Sequence, residues 1–416
     1  MNWIEKFVYN KLKHNAYLKI AVRNIYQAIF DILPINHNEF YPKGCRFEAD
    51  SFFGFHDVPN INETKKLALA CKLQTNELIV PNIKSNVLVG YYHLEHSFFC
   101  VCAESSTWNF HKGVRLQWVN ESEFIFNSHF ILGSHYSTLY NIETGIKKEF
   151  SSIDTVSFSK NIATSFSYGR LEHFMPGYGY YGLDDNAHIE KRIPDSTALE
   201  LINLTNNKRL FSFSFEELTS HCSKSLQDFG SIFVTHTLFS ACGKFCSFMV
   251  RSSSSETNMN RKSNLLILNL ENSNICRLPT EDMVSHYVWN NNSIMAYARV
   301  NGKDGHYMFS ETNWQTVTDY SEFMQNNDGH HTFIGKDNVL IDSYPDRFRV
   351  QSLSSYNLIS GQVEILARTR HPKKFQSNAL NGHVCCDLHP RSSIEKKYVS
   401  FDLIYKGKRS LAWFKV

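Results

Sequence analysis

The feature of this sequence that most constrains its fold is a short pattern that occurs four times in the second half. In each copy a histidine precedes a polar turn and an apolar, strand-like run, and in three copies an aromatic residue follows the histidine at the third position. The pattern begins at His236, His286, His330 and His389, which lie 50, 44 and 59 residues apart by subtraction. A repeat of this period made of short strands is typical of a β-propeller, in which each repeat forms one four-stranded blade.

Length and composition agree with a propeller. Seven blades of roughly 50 residues would occupy most of the 416 residues. The 32 Phe and 20 Tyr, with 10 Pro, are typical of an aromatic-rich β protein. We therefore predict an all-β fold: a seven-bladed β-propeller over residues 46–416 that follows an amphipathic helical segment over residues 1–40. We expect the last strand, residues 410–414, to pair with the first blade, because closing the ring removes exposed strand edges.

Charge and cysteine usage narrow the function classes. The net charge of +3 is too small to favour nucleic acid as the main partner. The ten cysteines include no C-x-x-C pair with metal-ligand spacing, and we interpret them as reduced, buried side chains, as is typical of the cytoplasm. The sequence contains no apolar run of about 18 residues and no pattern of a cleaved signal peptide. We therefore expect a cytoplasmic location.

Residues 3–33 differ from the rest of the chain. Their apolar side chains recur at roughly helical spacing. Basic residues outnumber acidic ones in this segment: Lys6, Lys11, Lys13, Lys19 and Arg23 against Glu5 and Asp31. A basic amphipathic helix of this kind is suited to peripheral contact with the anionic inner face of the membrane. The alternative is a helix that packs its apolar stripe on the outside of the propeller or on a partner protein.

The first half of the chain shows strands without the histidine pattern. We expect residues 67–73 in a first blade and residues 87–92 and 98–103 in a second. Counting back three positions from Trp118 places Arg115 at the position that histidine occupies in the later repeats. Residues 176–194 have little strand pattern, and long ordered loops more often serve function than scaffold.

The repeated histidines predict one site. Equivalent positions on the innermost strands of a propeller converge on its central channel, so His236, His286, His330 and His389 should lie close together. His330 rather than its neighbour His331 should face the channel, because adjacent residues on a strand point to opposite faces. The alternative for each histidine is a structural side chain that is hydrogen-bonded at the mouth of the channel.

Several motifs, taken in order, resemble a known family. They are the four histidine repeats, Trp108-Asn109-Phe110 with Gly113 and Gln117-Trp118, Pro176-Gly177-Tyr178-Gly179, and Asp342-Ser343-Tyr344-Pro345. Together they resemble the oligogalacturonate lyase type of seven-bladed propeller, and more closely its relatives found among bacterial surface-polysaccharide biosynthesis genes. The resemblance covers roughly residues 46–416. Members of the lyase family cleave uronate-containing oligosaccharides by β-elimination, with Mn²⁺ held by histidines and a glutamine.

The resemblance implies roles for particular residues. Removal of a proton next to a uronate carboxylate needs a base near neutral pH, which suits histidine, and a cation for the charge that develops. The implied catalytic residues are His236, Arg251 and Arg170. The implied substrate-binding residues are Trp108, Asn109, Arg115, Tyr178, Tyr344 and Arg391. A divalent metal such as Mn²⁺ would be held by His286, His330, His389 and Asp387. For each arginine, the alternative is a solvated or purely structural side chain.

The last repeat departs from the lyases. They place a glutamine three positions before the last histidine and a second histidine two positions after it, where this chain has Cys386 and Arg391. The loss of two ligands weakens the case for Mn²⁺, although Asp387 could replace one ligand and Cys386 could bind a softer metal. An inward arginine favours direct binding of an anionic sugar or a phosphate.

The function expected from these observations is that of a carbohydrate-active enzyme. It would act on an acidic, uronate-containing glycan or a sugar phosphate in bacterial surface-polysaccharide metabolism, such as capsule or O-antigen biosynthesis, by lyase-type β-elimination. Two alternatives remain open. One is a non-catalytic propeller that binds a glycan or a biosynthetic partner, and the other is a sugar-transfer enzyme that works during polysaccharide assembly at the cytoplasmic membrane. Fold alone does not decide between them.

Overall fold

Seven antiparallel sheets, numbered below as blades 1 to 7, form the protein, and the innermost strands of blades 3 to 7 contact one another in succession. The structure is a computed structural model that describes residues 16–31, 38–74, 78–82, 84–254, 261–322, 324, 328–375 and 382–416. Six sheets have four strands and one has five. This architecture confirms the predicted all-β, seven-bladed propeller preceded by a helix.

The strands follow the order of the chain around the ring. The first, β1 (Arg46–Ala49), belongs to the last blade. Blade 1 contains β2 (Ser51–Phe52), β3 (Ile61–Asn62), β4 (Leu67–Leu73), β5 (Val87–His93) and β6 (His96–Ser105). Blade 2 contains β7 (Gln117–Trp118), β8 (Glu123–Ile131), β9 (Ser134–Asn141) and β10 (Lys147–Ser151). Blade 3 contains β11 (Val156–Ser157), β12 (Ile162–Ser165), β13 (Thr197–Asn203) and β14 (Lys208–Ser214).

The remaining blades carry the histidine repeats. Blade 4 contains β15 (Ser231–Phe239), β16 (Phe245–Ser253), β17 (Arg261–Asn269) and β18 (Ile275–Arg277). Blade 5 contains β19 (Val284–Asn290), β20 (Ser293–Val300), β21 (Lys303–Phe309) and β22 (Val317–Asp319). Blade 6 contains β23 (His331–Phe333), β24 (Asn338–Asp342), β25 (Val350–Asn357) and β26 (Val363–Arg370). Blade 7 contains β27 (Arg391–Ser392), β28 (Tyr398–Tyr405) and β29 (Lys408–Lys415), with β1 as its outermost strand.

The two ends of the propeller pair with each other. Strand β1 runs antiparallel to β29, with Arg46 opposite Trp413 and Ala49 opposite Ser410. This pairing confirms that the last strand closes the ring. The partner strand completes blade 7 and does not belong to blade 1, which begins directly afterwards at β2.

The assignment of strands to the first two blades was wrong. Residues 87–93 and 96–105 do not open a second blade, because β5 pairs with β4 and β6 pairs with β5 in one sheet. Blade 2 begins at β7, just after Arg115. Short apolar runs of similar length do not indicate which neighbour they pair with, and only the hydrogen-bond register decides this.

The described part of the N-terminal segment is one helix, α1 (Ala16–Asp31). It packs on the connection between β24 and β25: Gln27 Nε2 donates to the Asp346 carbonyl at 3.0 Å, and the ring centroids of Phe30 and Phe348 lie 5.1 Å apart. Ile25 and Ile29 remain more than half exposed. Expectations about residues 3–15, 32 and 33 lie outside the described part. Within the described part, no helix has the length and apolar character needed to cross a membrane.

The irregular segments gather at one end of the ring. Because strands within a blade alternate in direction, connections between second and third strands open at the same end as connections between blades. This end carries α2 (Tyr168–Phe174) in the long loop between β12 and β13, and α3 (Phe215–Ser220) and α4 (Lys224–Gln227) between blades 3 and 4. In blade 1 the innermost strand is interrupted, so that residues 53–60 leave the sheet between β2 and β3.

Candidate functional site

The structure brings the four repeated histidines together. The ring centroids of His286 and His330 lie 4.1 Å apart, and those of His330 and His389 lie 4.2 Å apart. His236 joins this cluster through Phe55, whose ring lies 4.8 Å from His236 and 5.1 Å from His389. All four histidine side chains are buried.

The backbone at these positions is irregular. The pairing of β15 with β16 shifts between Thr235 and Leu238, next to His236, and that of β19 with β20 shifts around His286. Such bulges turn a side chain out of the regular alternation of a strand. His236, His389 and Arg115 share a left-handed backbone, with φ of 51°, 45° and 53°. This shared conformation is costly for non-glycine residues, and it supports the equivalence of Arg115 with the histidine position.

Two histidines are oriented by carboxylates. His330 Nδ1 lies 3.0 Å from both carboxylate oxygens of Asp342, and His286 Nδ1 lies 3.0 Å from Oδ1 of Asp328. Nδ1–H donates to the carboxylate in such a pair, which leaves the lone pair on Nε2. Asp342 also accepts the backbone N–H groups of His330 and His389, at 2.7 and 3.0 Å. One carboxylate therefore ties two repeats of the cluster together.

Burial keeps three of these histidines neutral. It lowers the pKa of His236 well below the ordinary value, and the charge of Arg251 adds to the effect. Burial likewise lowers the pKa of His330 and His389, each with a further contribution from a neighbouring histidine. At neutral pH these rings therefore offer lone pairs that can accept a proton or bind a metal.

Sequence reasoning missed three members of the site. Phe55 and His56 come from the interrupted strand of blade 1; His56 Nδ1 donates to the His331 carbonyl at 2.7 Å, and its ring lies 5.1 Å from that of His330. His111 stacks on Tyr178, with centroids 4.5 Å apart and rings 9° from parallel. Both histidines follow aromatic residues in the sequence, but neither His56 nor His111 has an aromatic residue three positions later.

His331 has a different environment from His330. Its Nε2 lies 2.7 Å from Nδ1 of His306, and both rings are fully buried in blades 5 and 6. The structure thus places His330 in the cluster and turns His331 towards the neighbouring blade, as expected from the alternation of side chains along a strand.

The donor atoms of His111, Asp387 and His389 lie within 4.8 Å of one another and could hold a metal ion. His389 Nε2 is buried and has no hydrogen-bond partner among the residues that the structure describes, so the arrangement fits a ligand that accepts its lone pair. Two imidazoles and a carboxylate suit Mn²⁺, Fe²⁺ or Zn²⁺. Of the four expected metal ligands, His389 and Asp387 belong to this group; His286 and His330 lie beside it.

Arg251 is the arginine most available to an anion. The residue is 6% exposed, and its guanidinium nitrogens lie 3.2 and 3.3 Å from the sulfur atoms of Met175 and Met249. It also donates to the carbonyls of Val284 and Ser285. Nε has no partner within the described ranges, and burial lowers the pKa of this group to about 9. A buried cation with these neutral partners is suited to binding a carboxylate.

Groups of the protein itself bind most of the donors of the other three arginines, which agrees with the structural alternative for them. Arg115 binds both oxygens of Asp57, at 2.8 and 3.0 Å. Arg391 donates to Asp402 at 3.0 Å and to the Gly54 carbonyl at 2.8 Å. Arg170 donates to backbone carbonyls only: those of Ala187, His188, Lys191, Arg192 and Ile232. These side chains join blades and loops, although Nη2 of Arg115 has no hydrogen-bond partner among the described residues.

Two of the expected substrate-binding residues also support the fold. Trp108 Nε1 donates to the Ser85 carbonyl at 2.7 Å within the core, and Asn109 Nδ2 donates to the Gly179 carbonyl at 2.7 Å. Both side chains are buried. Tyr178 and Tyr344 do reach the cluster: the centroids are 6.0 Å apart for Tyr178 and His236, and 6.1 Å for Tyr344 and His330.

The long loop between β12 and β13 positions Tyr178. Helix α2 in this loop begins after Ser167, whose hydroxyl accepts the Arg170 N–H. The loop then folds back on α2, because Oε2 of Glu172 accepts the N–H groups of Gly177 and Gly179, at 2.9 and 3.1 Å. Burial raises the pKa of Glu172 to about 7. The carboxylate therefore fixes the backbone on both sides of Tyr178, whose ring stacks on His111.

No protein-family model and no curated protein matches this chain. Among solved structures, a prolyl endopeptidase aligns with 100% of this chain and 56% of its own length, at 10% identity and a TM-score of 0.48. The β-propeller domain of the trilobed protease from Pyrococcus furiosus aligns over 87% of this chain and 96% of its own, at 9% identity and a TM-score of 0.48. An oligogalacturonate lyase in complex with manganese aligns over 92% and 97%, at 10% identity and a TM-score of 0.38.

The chain thus spans about half the length of the prolyl endopeptidase. The aligned proteins include peptidases as well as a lyase, so similarity at this level concerns the fold and leaves the activity open. What the site can do has to be argued from its own residues.

Proposed function

We propose that this protein is a carbohydrate-active enzyme that acts on an acidic, uronate-containing glycan of bacterial surface-polysaccharide metabolism by lyase-type β-elimination. The observation that carries the proposal is the position of a cluster of neutral, buried imidazoles beside Arg251, a buried guanidinium whose described partners are neutral. Elimination next to a carboxylate needs both a neutral base and a fixed cation.

In this mechanism Arg251 binds the uronate carboxylate, and His236 accepts the proton from the adjacent carbon. The electron pair of that C–H bond forms the new carbon–carbon double bond, and the glycosidic oxygen leaves from the next carbon and takes a proton from water. Thr235 Oγ1 lies 2.8 Å from Nδ1 of His236, so it orients the ring and leaves Nε2 to act as the base. The positive charge of Arg251 stabilises the negative charge that develops on the carboxylate.

His111, Asp387 and His389 would hold a divalent metal such as Mn²⁺ beside the histidine cluster. Such an ion supplies a second positive charge for the carboxylate of the substrate. The carboxylates of Asp342 and Asp328 bind Nδ1 of His330 and His286. This leaves the Nε2 lone pairs of both rings available in this region. A carboxylate behind a histidine is the usual support of a metal ligand.

The experiment is to incubate the purified protein with uronate oligosaccharides and follow the ultraviolet absorbance of the unsaturated uronate. His236→Ala should lower the rate by about 10²–10⁴-fold, the range of general base catalysis. His129→Ala is the matched control, because the side chain of His129 is 39% exposed and pairs with Glu149 of β10 at 3.4 Å. Binding without unsaturation would favour the non-catalytic alternative, and new glycosidic bonds formed from a sugar phosphate would favour transfer.

We further propose that the N-terminal segment attaches the protein peripherally to anionic membranes on the cytoplasmic side. The basic composition of residues 6–23 and the exposed Ile25 and Ile29 support this proposal. Protein lacking residues 1–37 should stay folded and no longer sediment with anionic vesicles. Equal sedimentation of the two proteins would reject the attachment.

A further inference from the structure

A group of buried charged side chains lies close to the histidine cluster, and the proposed mechanism gives it no role. Its centre is Asp154, in the connection between β10 and β11. Nζ of Lys112 lies 2.5 Å from Oδ1 of this carboxylate, and Nε of Arg115 lies 3.0 Å from the same atom. Arg115 in turn pairs with Asp57 at 2.8 Å. The four side chains are at most 2% exposed, so two basic groups and two carboxylates are enclosed together.

The basic groups keep Asp154 ionised. Burial alone would raise the pKa of this carboxyl, but the charges of Arg115 and Lys112 hold the pKa below its ordinary value. Burial lowers the pKa of Lys112, so the guanidinium of Arg115, which stays charged, is the cation that secures the carboxylate. An ionised carboxylate accepts several hydrogen bonds at once, and these are stronger than bonds between neutral groups. Asp154 can therefore hold further donors in addition to its two basic partners.

The second oxygen of Asp154 holds the chain next to His236. Oδ2 accepts the backbone N–H of Thr237 at 2.9 Å and the Thr237 hydroxyl at 2.8 Å. Both bonds lie at the bulge of β15, where the pairing with β16 shifts between Thr235 and Leu238. A bulge interrupts the regular ladder of hydrogen bonds, so the backbone groups there need other partners. Asp154 supplies such a partner from the connection between blades 2 and 3.

The same group is connected to three histidines of the site through the chain. Each of these histidines is directly followed by a member of the group or by a residue that Asp154 binds: His56 by Asp57, His111 by Lys112, and His236 by Thr237. The three histidines come from three different segments of the chain. The charged group therefore joins these segments immediately beside the site.

We infer that Asp154 is a positioning residue for the proposed elimination, and that it fixes the place of His236 by binding Thr237. The inference rests on the proposed function, because it acts through the proposed base. Asp154 is fully buried and binds groups of the protein, so it affects the reaction only through the residues that it holds. An error of about 1 Å in the position of a catalytic group can lower a rate about 10²-fold.

The test compares Thr237→Val with Thr237→Ser in the full-length protein. Valine has the shape of threonine without the hydroxyl, whereas serine keeps the donor to Asp154. We expect Thr237→Val to lower kcat on uronate oligosaccharides about tenfold, with KM unchanged because Arg251 is untouched, and Thr237→Ser to restore kcat. Thr219→Val is the matched control, because its buried hydroxyl donates to the Phe215 carbonyl within α3. A lower thermal midpoint of Thr237→Val with an unchanged kcat of the folded protein would overturn the inference.

Proton NMR of the His236 ring reports its position without catalysis. The Phe55 ring lies 4.8 Å from the His236 ring, so a small displacement changes the chemical shifts of the imidazole protons. Asp154→Asn and Thr237→Val should shift these signals, and Thr237→Ser should not; if Asp154→Asn does not fold, the two threonine variants decide. Absence of elimination by wild type would reject the proposed function, and the signals would still test the positioning. Unchanged His236 signals in Thr237→Val would overturn the positioning role even in an active enzyme.

Discussion

At the scale of single residues, the site combines neutral imidazoles with carboxylates that fix their orientation. Asp342 is the central example, since it binds His330 through both ring and backbone and His389 through the backbone. Phe55 provides the apolar side of the cluster, with its ring 4.8–6.1 Å from four histidine rings. The carboxylate contacts set which ring nitrogen carries the proton, and the Phe55 ring keeps water away from the histidines.

Asp342→Asn tests the orienting carboxylate. The amide cannot accept from Nδ1 of His330 and from the His389 N–H as two carboxylate oxygens do, so the ring should lose its fixed tautomer. Asp342 also holds the backbone of His389, one of the three candidate metal ligands, so we expect metal affinity to fall about 10–100-fold, the usual effect of removing a group that orients a ligand. Competition with a metal-sensitive dye measures the change. Asp319→Asn, on the outermost strand of blade 5, should keep the affinity of wild type.

Phe55→Leu tests the apolar side. Leucine keeps the site apolar but leaves space for water near the rings, so the pKa of His236 and His389 should rise towards the ordinary value. Proton NMR of the imidazole signals as a function of pH measures this shift. Unchanged titration curves would show that the aromatic ring does not control the hydration of the cluster. The cost in stability should stay at about 1–3 kcal/mol, because the ring is buried and the substitution reduces volume.

At the scale of elements, the decisive feature is the folded-back loop between β12 and β13. Helix α2 begins it, Glu172 closes it, and Tyr178 is presented to His111 and His236. Gly177 has φ of +90°, and a Cβ there would lie 3.3 Å from the His111 ring, so a larger residue would strain the contact between loop and site.

Glu172→Ala removes the acceptor of two loop N–H groups. The loop should loosen without global unfolding, because each lost hydrogen bond costs about 1 kcal/mol. Faster limited proteolysis between residues 176 and 182, with an unchanged thermal midpoint of the propeller, is the expected result. Glu172→Gln keeps an acceptor oxygen and should remain as resistant as wild type. Equal cleavage of all three proteins would contradict a positioning role.

At the scale of the whole molecule, closure of the ring and burial of charge determine stability. Strand β1 is the outermost strand of blade 7, so residues 46–49 complete a sheet whose other strands lie between residues 391 and 415. The channel also contains rings that stay neutral, because burial lowers the pKa of His56, His330 and His389.

Two truncations separate the helix from the closing strand. Removing residues 1–37 deletes α1 and should leave the propeller folded. Removing residues 1–50 also deletes β1 and should lower the free energy of unfolding by about 4 kcal/mol more, at about 1 kcal/mol for each lost backbone hydrogen bond. Urea unfolding followed by circular dichroism measures both. Equal stability of the two truncated proteins would show that β1 does not hold the ring closed.

Stability should fall in mild acid. An unfolded histidine binds a proton below a pH of about 6.5, and a buried one with a lowered pKa does not, so falling pH favours the unfolded state. Between pH 7.5 and 5.5 each such group should contribute about 1.4 kcal/mol of lost stability. Asp342 and Glu172, whose pKa values are raised to about 6 and 7, act in the opposite direction but are fewer. Urea unfolding with a metal chelator present is the measurement, and a rise in stability on acidification would contradict it.

The sequence by itself determined the architecture and much of the site. The period of the histidine repeats required short strands in similar blades, and similar blades around an axis must bring equivalent positions together. This is why the convergence of His236, His286, His330 and His389 could be predicted. It is also why His330 could be preferred to His331, since the alternation of side chains is a local property of a strand.

Only the tertiary structure decided which partners the charged residues have. Arg115, Arg170 and Arg391 look like anion-binding residues in the sequence, but carboxylates and carbonyls of the protein bind most of their donors. His56 and His111 enter the site through the interrupted strand of blade 1 and the connection between blades 1 and 2, and no short-range pattern encodes these approaches. The repeat determines the backbone position of a residue in its blade. The hydrogen-bond partners and the burial of the side chain depend on residues that are distant along the chain.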